Sequence, residues 1–85
     1  MVQAYILIQT EVGRAAAVAS EVAGIEGVTR AEAVTGPYDV VVHVEAPDAE
    51  ALGEKKVIAA VQKVPGITRT LTCPVVSAAA RSTSA

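Results

Sequence analysis

The polar groups best suited to binding a small molecule lie in one short turn, Thr35-Gly36-Pro37-Tyr38-Asp39. Gly and Pro suit a chain reversal, and an aspartate there bonds nearby backbone amides, so an ordinary hairpin accounts for most of this composition. Tyr38 is the surplus, because a turn does not require one of the only two aromatic residues in the chain. Two readings of Asp39 stand side by side: a carboxylate that holds its own hairpin, and one that contacts a ligand. Tyr38 serves equally as a site wall or as an interface residue, with an apolar ring and a polar tip.

Other reactive side chains are few. His43 is the only histidine, with no second His, no CxxC and no carboxylate at ligand spacing, so a structural role is the simpler reading and neither metal nor cofactor is expected. Cys73 stands alone in an apolar strand followed by Pro74, with nothing near it in sequence to lower a thiol pKa. Arg30 and Arg69 offer forks for carboxylates, though surface ion pairs are their default. Glu54-Lys55-Lys56 reads as a solvated helix turn, and Gly53 in the same helix as a mark of close packing.

The elements that must position these groups follow from periodicity. Val2 to Gln9 is a strand apolar on both faces, with Tyr5 and Leu7 on one side and Ala4, Ile6 and Ile8 on the other. Arg14 to Ala23 is a helix with Ala15, Val18, Val22 and Ile25 along one stripe. Val28 to Val34 and Val40 to Ala46 are strands joined by the turn. A second helix opens at Pro47-Asp48, with Asp48 as N-cap and Val57, Ala60, Val61 and Val64 at helical spacing. Ile67 to Val76 is the last strand, and 77–85 is small, polar and expected to be a disordered tail after a single domain over 1–76.

The order is βαββαβ, and Gly27-Val28-Thr29-Arg30 reappears 39 residues later as Gly66-Ile67-Thr68-Arg69, at the same helix-to-strand junction. That offset carries Val2 to Val41, inside the third strand. Two βαβ halves joined by a hairpin predict an α+β, ferredoxin-like antiparallel sheet with two helices on one face. The other face is left open, and because the first strand is apolar on both sides and the third carries Val40, Val42 and Val44 on one side with Val41 and His43 on the other, that face is apolar, which points to two sheets packed face to face.

Composition narrows the function. At 85 residues, a single domain buries only roughly 60% of the surface its unfolded chain exposes. Hydrophobic residues are 52% of the chain with no Trp or Phe, an excess that suggests burial against a second subunit. The net charge of -2, with 7 basic and 9 acidic residues and no basic run, argues against direct contact with nucleic acid. No apolar run approaches the ~20 residues needed to span a bilayer, Met1 to Tyr5 is unlike a signal peptide, and one cysteine fits a reducing compartment. The expectation is a soluble, cytoplasmic protein.

The turn Gly36-Pro37-Tyr38-Asp39, taken with Pro65-Gly66-Ile67-Thr68-Arg69-Thr70-Leu71-Thr72 leading into the last strand, resembles the ligand-binding, amino-acid-metabolism domain of the Lrp/AsnC regulators. The resemblance runs from about Val2 to Val76. In full-length members a helix-turn-helix precedes this domain; here the chain begins at the first strand, similar to the stand-alone form. The resemblance implies a homodimer of the dimeric α/β-barrel type, often built into rings of dimers such as octamers, with amino-acid effectors at or between the interfaces and a full-length regulator as an alternative partner. It also implies that Gly36, Pro37, Tyr38 and Asp39 form an effector-contacting loop, and that Thr70, Leu71 and Thr72 lie where further contacts cluster. An amino acid needs an acceptor for its ammonium, donors for its carboxylate and an apolar wall. Asp39 suits the first, turn amides or Thr hydroxyls the second, Tyr38 and Leu71 the third.

Three functions from different classes compete. The first is a non-enzymatic effector-binding module. The second is a small cofactor-free enzyme of monooxygenase type, for which His43 is the only conventional base. The third is a purely structural oligomerisation module. A metal-carrier reading lacks the CxxC loop, and an RNA-binding reading lacks stacking aromatics on the central strands.

Overall fold

A computed structural model describes residues 1–53 and 56–77. Four strands, β1 (Val2–Thr10), β2 (Val28–Ala33), β3 (Val40–Ala46) and β4 (Ile67–Pro74), form one sheet in the order β2-β3-β1-β4. Every neighbouring pair is antiparallel, so the sheet has the predicted ferredoxin-like arrangement. The helices are α1 (Ala15–Ala23), α2 (Ala49–Leu52) and α3 (Val57–Gln62).

Strand alternation sorts the two faces. On β1 the residues Ala4, Ile6 and Ile8 are fully buried, and on β3 so are Val40, Val42 and Val44. Val18, Ala19 and Val22 of α1, Leu52 of α2, and Val57 and Val61 of α3 close over them to make a core without a single buried polar side chain among the described residues. The alternate residues face the uncovered side. There Leu7 stands opposite both Val41 and Leu71, and Tyr5 stands opposite both His43 and Cys73, giving two cross-strand rows over the centre of the sheet. Tyr5 and Leu71 remain 40% and 45% exposed, so this face is apolar in the middle and open, as the pattern of β1 requires.

The second helix departs from expectation. Asp48 does cap it, its Oδ1 accepting from the Ala51 N–H at 2.8 Å, but α2 lasts one turn and stops at Gly53, whose backbone is extended. A glycine costs about 1 kcal/mol inside a helix relative to alanine, and here it ends one. The helix resumes only at Val57, with Lys56 exposed at its N-cap. Glu54 and Lys55 lie outside the described residues, as does the expected tail apart from the exposed Ser77.

The internal repeat is real and also asymmetric. Gly27 and Gly66 share a positive φ, +97° and +94°, and each backs onto a valine 39 residues from the other's: a Cβ on Gly27 would come within 2.5 Å of Val57 Cγ2, and one on Gly66 within 3.3 Å of Val18 Cγ2. The carbonyls of both accept equivalent bonds, from Glu45 N–H at 2.8 Å and Glu11 N–H at 2.9 Å. Thr29 and Thr68 occupy matching irregularities in β2 and β4. Yet the inner strands are related by 34 residues, not 39: Val28 pairs with Val44 as Ile67 pairs with Thr10. An offset of 39 would set buried Ile6 on half-exposed Glu45, whereas 34 sets it on buried Val40. The second half therefore carries five extra residues between Glu45 and Val57, the stretch that contains α2 and the helix break.

Candidate functional site

The turn is tied down from both sides. Val34 N–H donates to the Asp39 carbonyl and Asp39 N–H to the Ile8 carbonyl, both at 2.8 Å. The Asp39 carboxylate, through Oδ2, accepts from the Thr10 N–H at 2.8 Å, and Gln9 Nε2 donates to the Pro37 carbonyl at 3.0 Å. Gly36 has φ +142°, a conformation few other residues adopt, and open space around its Cα, so backbone shape alone calls for glycine there. Tyr38 and Asp39 are half-buried, while Thr35, Gly36 and Pro37 are exposed. Gln9 and Thr10 are the members of this end of the sheet that sequence reasoning missed; their only signal was polarity at the end of an apolar strand.

The last-strand residues divide between the faces. Thr70 stands opposite Ile8 and Thr72 opposite Ile6, on the helix side, and Gln62 Nε2 of α3's last residue reaches Thr70 Oγ1 at 3.5 Å. Leu71, opposite Leu7, is on the open face. Ile8 is paired with Val40 on one side and Thr70 on the other, so Thr70 lies at the same end of the sheet as Asp39, two strands across, roughly 10 Å away. The turn and Thr70 flank the end of β1, while Thr72 lies two residues further along the same face as Thr70 and Leu71 on the opposite surface.

The remaining sequence candidates have structural surroundings. His43 is held at both ring nitrogens, Nδ1 by Thr29 Oγ1 at 2.5 Å and Nε2 by Gln3 Oε1 at 3.0 Å, with the Tyr5 ring edge-on at 4.9 Å. Arg30 pairs with Glu32 at 3.1 Å on the exposed edge strand. Cys73 is exposed on the open face rather than packed in the core, because β4 is an edge strand and its odd positions face away from the helices. Among the described residues no group of His, Cys, Asp and Glu side chains could hold a metal ion, and no helix is long and apolar enough to cross a membrane.

An open hollow of about 620 Å³ lies at the other end of β3, between the α1–β2 connection and α3, its lining including Glu26, Glu45 and Lys56 together with Ile25, Val57 and Ala60. Nothing in the motifs pointed to it. Its signal was the mismatch between the two offsets, readable from the alternation of Ile6 and Ile8 against that of Val40 and Val42.

The family model of the Lrp/AsnC ligand-binding domain matches residues 3–85. The chain belongs to this family. An Lrp/AsnC-type domain of this kind is a regulatory effector-binding module, and solved structures agree with the assignment. TTHA0845 of Thermus thermophilus is 32% identical, with a TM-score of 0.83 over 95% of this chain and 100% of that one. AsnC of E. coli superposes at a TM-score of 0.81 with 23% identity over 96% of this chain, and the Neisseria meningitidis transcriptional regulator NMB0573, solved as a complex with L-Met, at 0.76 with 21% identity over 99%. At those identities the likeness is one of fold, and this chain spans 55% of each of the two regulators. No curated protein matches.

Proposed function

We propose that this Lrp/AsnC-type domain is a non-enzymatic sensor that binds an amino acid at the turn end of the sheet and works as a homodimer packed through the open face. The observation that carries it is the placement of the half-buried Tyr38 and Asp39 and of Thr70 at the same end of the sheet, on either side of β1, in a chain whose family is defined by ligand binding. NMB0573 was solved with L-Met, which supports an amino acid as the class of effector. Asp39 Oδ2 is engaged by Thr10, which leaves Oδ1 as the acceptor for a ligand ammonium. Leu71, on the opposite face of the sheet from Thr70, contributes through the subunit arrangement by lying on the face that meets the second copy, and Thr72 lies two residues beyond Thr70 on the same face.

The open face supports the dimer. Its Leu7, Val41 and Leu71 row sits in the middle of a rim of Gln3, Gln9, Glu45 and Arg69, an apolar centre with a polar border of the kind stable interfaces use. An effector acts on such an assembly only through different affinities for its states. Nucleic acid is not a direct partner in this reading, and the setting is cytoplasmic.

The test is calorimetry with the twenty amino acids on the wild type and on Asp39→Asn, which keeps an acceptor for Thr10 and removes the charge. At least one amino acid should bind the wild type at millimolar concentration or tighter and bind the variant about tenfold more weakly. A full panel without a binder overturns the amino-acid reading.

A further inference from the structure

We propose that His43 is a proton-operated switch on the packing of two copies of this chain through the open face: the neutral ring permits the packed pair and the imidazolium opposes it. The switch rests on the homodimer proposed above. His43 lies on that face in the cross-strand row of Arg30, His43, Tyr5 and Cys73. It is half-buried within one protomer and is the only histidine of the chain. Histidine is the side-chain type suited to changing charge between about pH 5 and pH 8.

A bulge in β2 builds the switch. Val28 stands opposite Val44 and Arg30 opposite His43, which leaves Thr29 as the extra residue and aims its side chain at His43. Thr29 Oγ1 has two acceptors in reach, His43 Nδ1 and, at 3.1 Å, the His43 carbonyl, while Nε2 faces Gln3 Oε1 at 3.0 Å. With a neutral ring, the Thr29 O–H donates to Nδ1 and the Nε2 N–H donates to Gln3 Oε1. With a charged ring, the Nδ1 N–H donates to Thr29 Oγ1, and the hydroxyl hydrogen swings to the His43 carbonyl. The proton is taken up by one hydroxyl rotation, with no bond to a ring nitrogen lost and no heavy atom displaced. In the other half of the repeat Gln9 takes the place of His43, opposite Arg69 and beside the matching Thr68, and an amide takes up no proton.

Since one protomer bonds either form of the ring, what covers the face decides between them. Tyr5 on β1 meets the ring edge-on, its centroid 4.9 Å away, Cys73 on β4 lies beyond Tyr5, and the helices are on the other side of the sheet. The charged neighbours are Arg30 and Glu32 on β2, paired with each other at 3.1 Å, and Glu45 two residues along β3; Arg69 of β4 stands further off, opposite Gln9. Among the described residues no carboxylate is paired with the ring. A second sheet laid on this face removes the water that solvates the imidazolium and, by symmetry, brings a second like charge into the same interface. The packed pair therefore favours neutral rings. Its affinity is present above the histidine range and is lost as the pH falls through it.

The experiment is size-exclusion chromatography with light scattering on the full chain over a dilution series, at about pH 7.5 and about pH 5.5. The wild-type dissociation constant should rise at least about tenfold at the lower pH. His43→Gln, which keeps hydrogen-bonding groups and takes no charge, should hold the same constant at both within about twofold. His43→Lys, charged at both, should dimerise at least about tenfold more weakly than His43→Gln throughout. Superimposable far-ultraviolet spectra at the two pH values separate dissociation from unfolding. Wild-type dimers of equal affinity at both pH values, or a His43→Gln protein that loosens on acidification as much as the wild type, overturn the switch and leave the packed dimer standing. Monomeric masses for both the wild type and His43→Gln at about pH 7.5 overturn packing through this face, and the switch with it.

Discussion

Asp39 accepts from the Thr10 N–H through its carboxylate at 2.8 Å, and the Asp39 N–H donates two residues earlier on the same strand, to the Ile8 carbonyl, at 2.8 Å. One residue thereby fastens the start of β3 to the end of β1. Replacing it by alanine leaves the half-buried Thr10 N–H without that partner, so Asp39→Ala should lower stability by about 1–2 kcal/mol in urea unfolding. Asp39→Asn should lose less than half as much. Equal losses would mean that the negative charge, rather than the acceptor, holds the turn.

The two positive-φ glycines at opposite ends of β2 predict different costs. Gly36→Ala meets open space and pays only for its backbone shape, about 1–2 kcal/mol. Gly27→Ala has the same difficulty and also drives a methyl to within 2.5 Å of Val57 Cγ2 in the core, so it should cost at least about 1 kcal/mol more. Thermal melts of the two variants side by side decide this.

Leu71 lies on an edge strand and is 45% exposed, so charge there does not disturb the core beneath the helices. Leu71→Glu should leave the far-ultraviolet spectrum unchanged while converting a dimeric mass to a monomeric one in size-exclusion chromatography with light scattering. A dimer that survives Leu71→Glu together with Leu7→Glu does not pack through this face.

Ile6 is fully buried between the helices and the middle of the sheet, and Ile6→Ala should cost about 2–5 kcal/mol, enough to unfold a marginal domain of this size. Arg30→Ala breaks an ion pair whose side chains are 64% and 59% exposed, and should change stability by less than about 0.5 kcal/mol.

Much of the fold was legible because strand alternation is strict where one face is buried. Val40 to Ala46 reads and folds as one strand to the residue, and the Val18–Val22 stripe of α1 is the stripe that the core uses. The helix after β3 was legible in its cap and its valines but not in its continuity, since a glycine within apolar spacing carries no mark of whether it packs or breaks. The site was legible as a set of residues and not as a surface. Thr70, Leu71 and Thr72 are consecutive in a strand, so they must alternate faces, and a motif written along the chain hides that division. The exposure of Cys73 has a related cause: it alternates with Thr72 on an edge strand and so falls on the open face, opposite Tyr5.

The chain has no tryptophan, and its two tyrosines stand in different districts, Tyr5 in the middle of the open face and Tyr38 at the turn. Ultraviolet emission from this protein is therefore a two-channel signal with no background from a third fluorophore. With Tyr38→Phe the remaining light reports on the open face of the sheet, and with Tyr5→Phe on the turn beside Asp39. The open face and the turn end can thus be followed optically, one at a time, without attaching a dye.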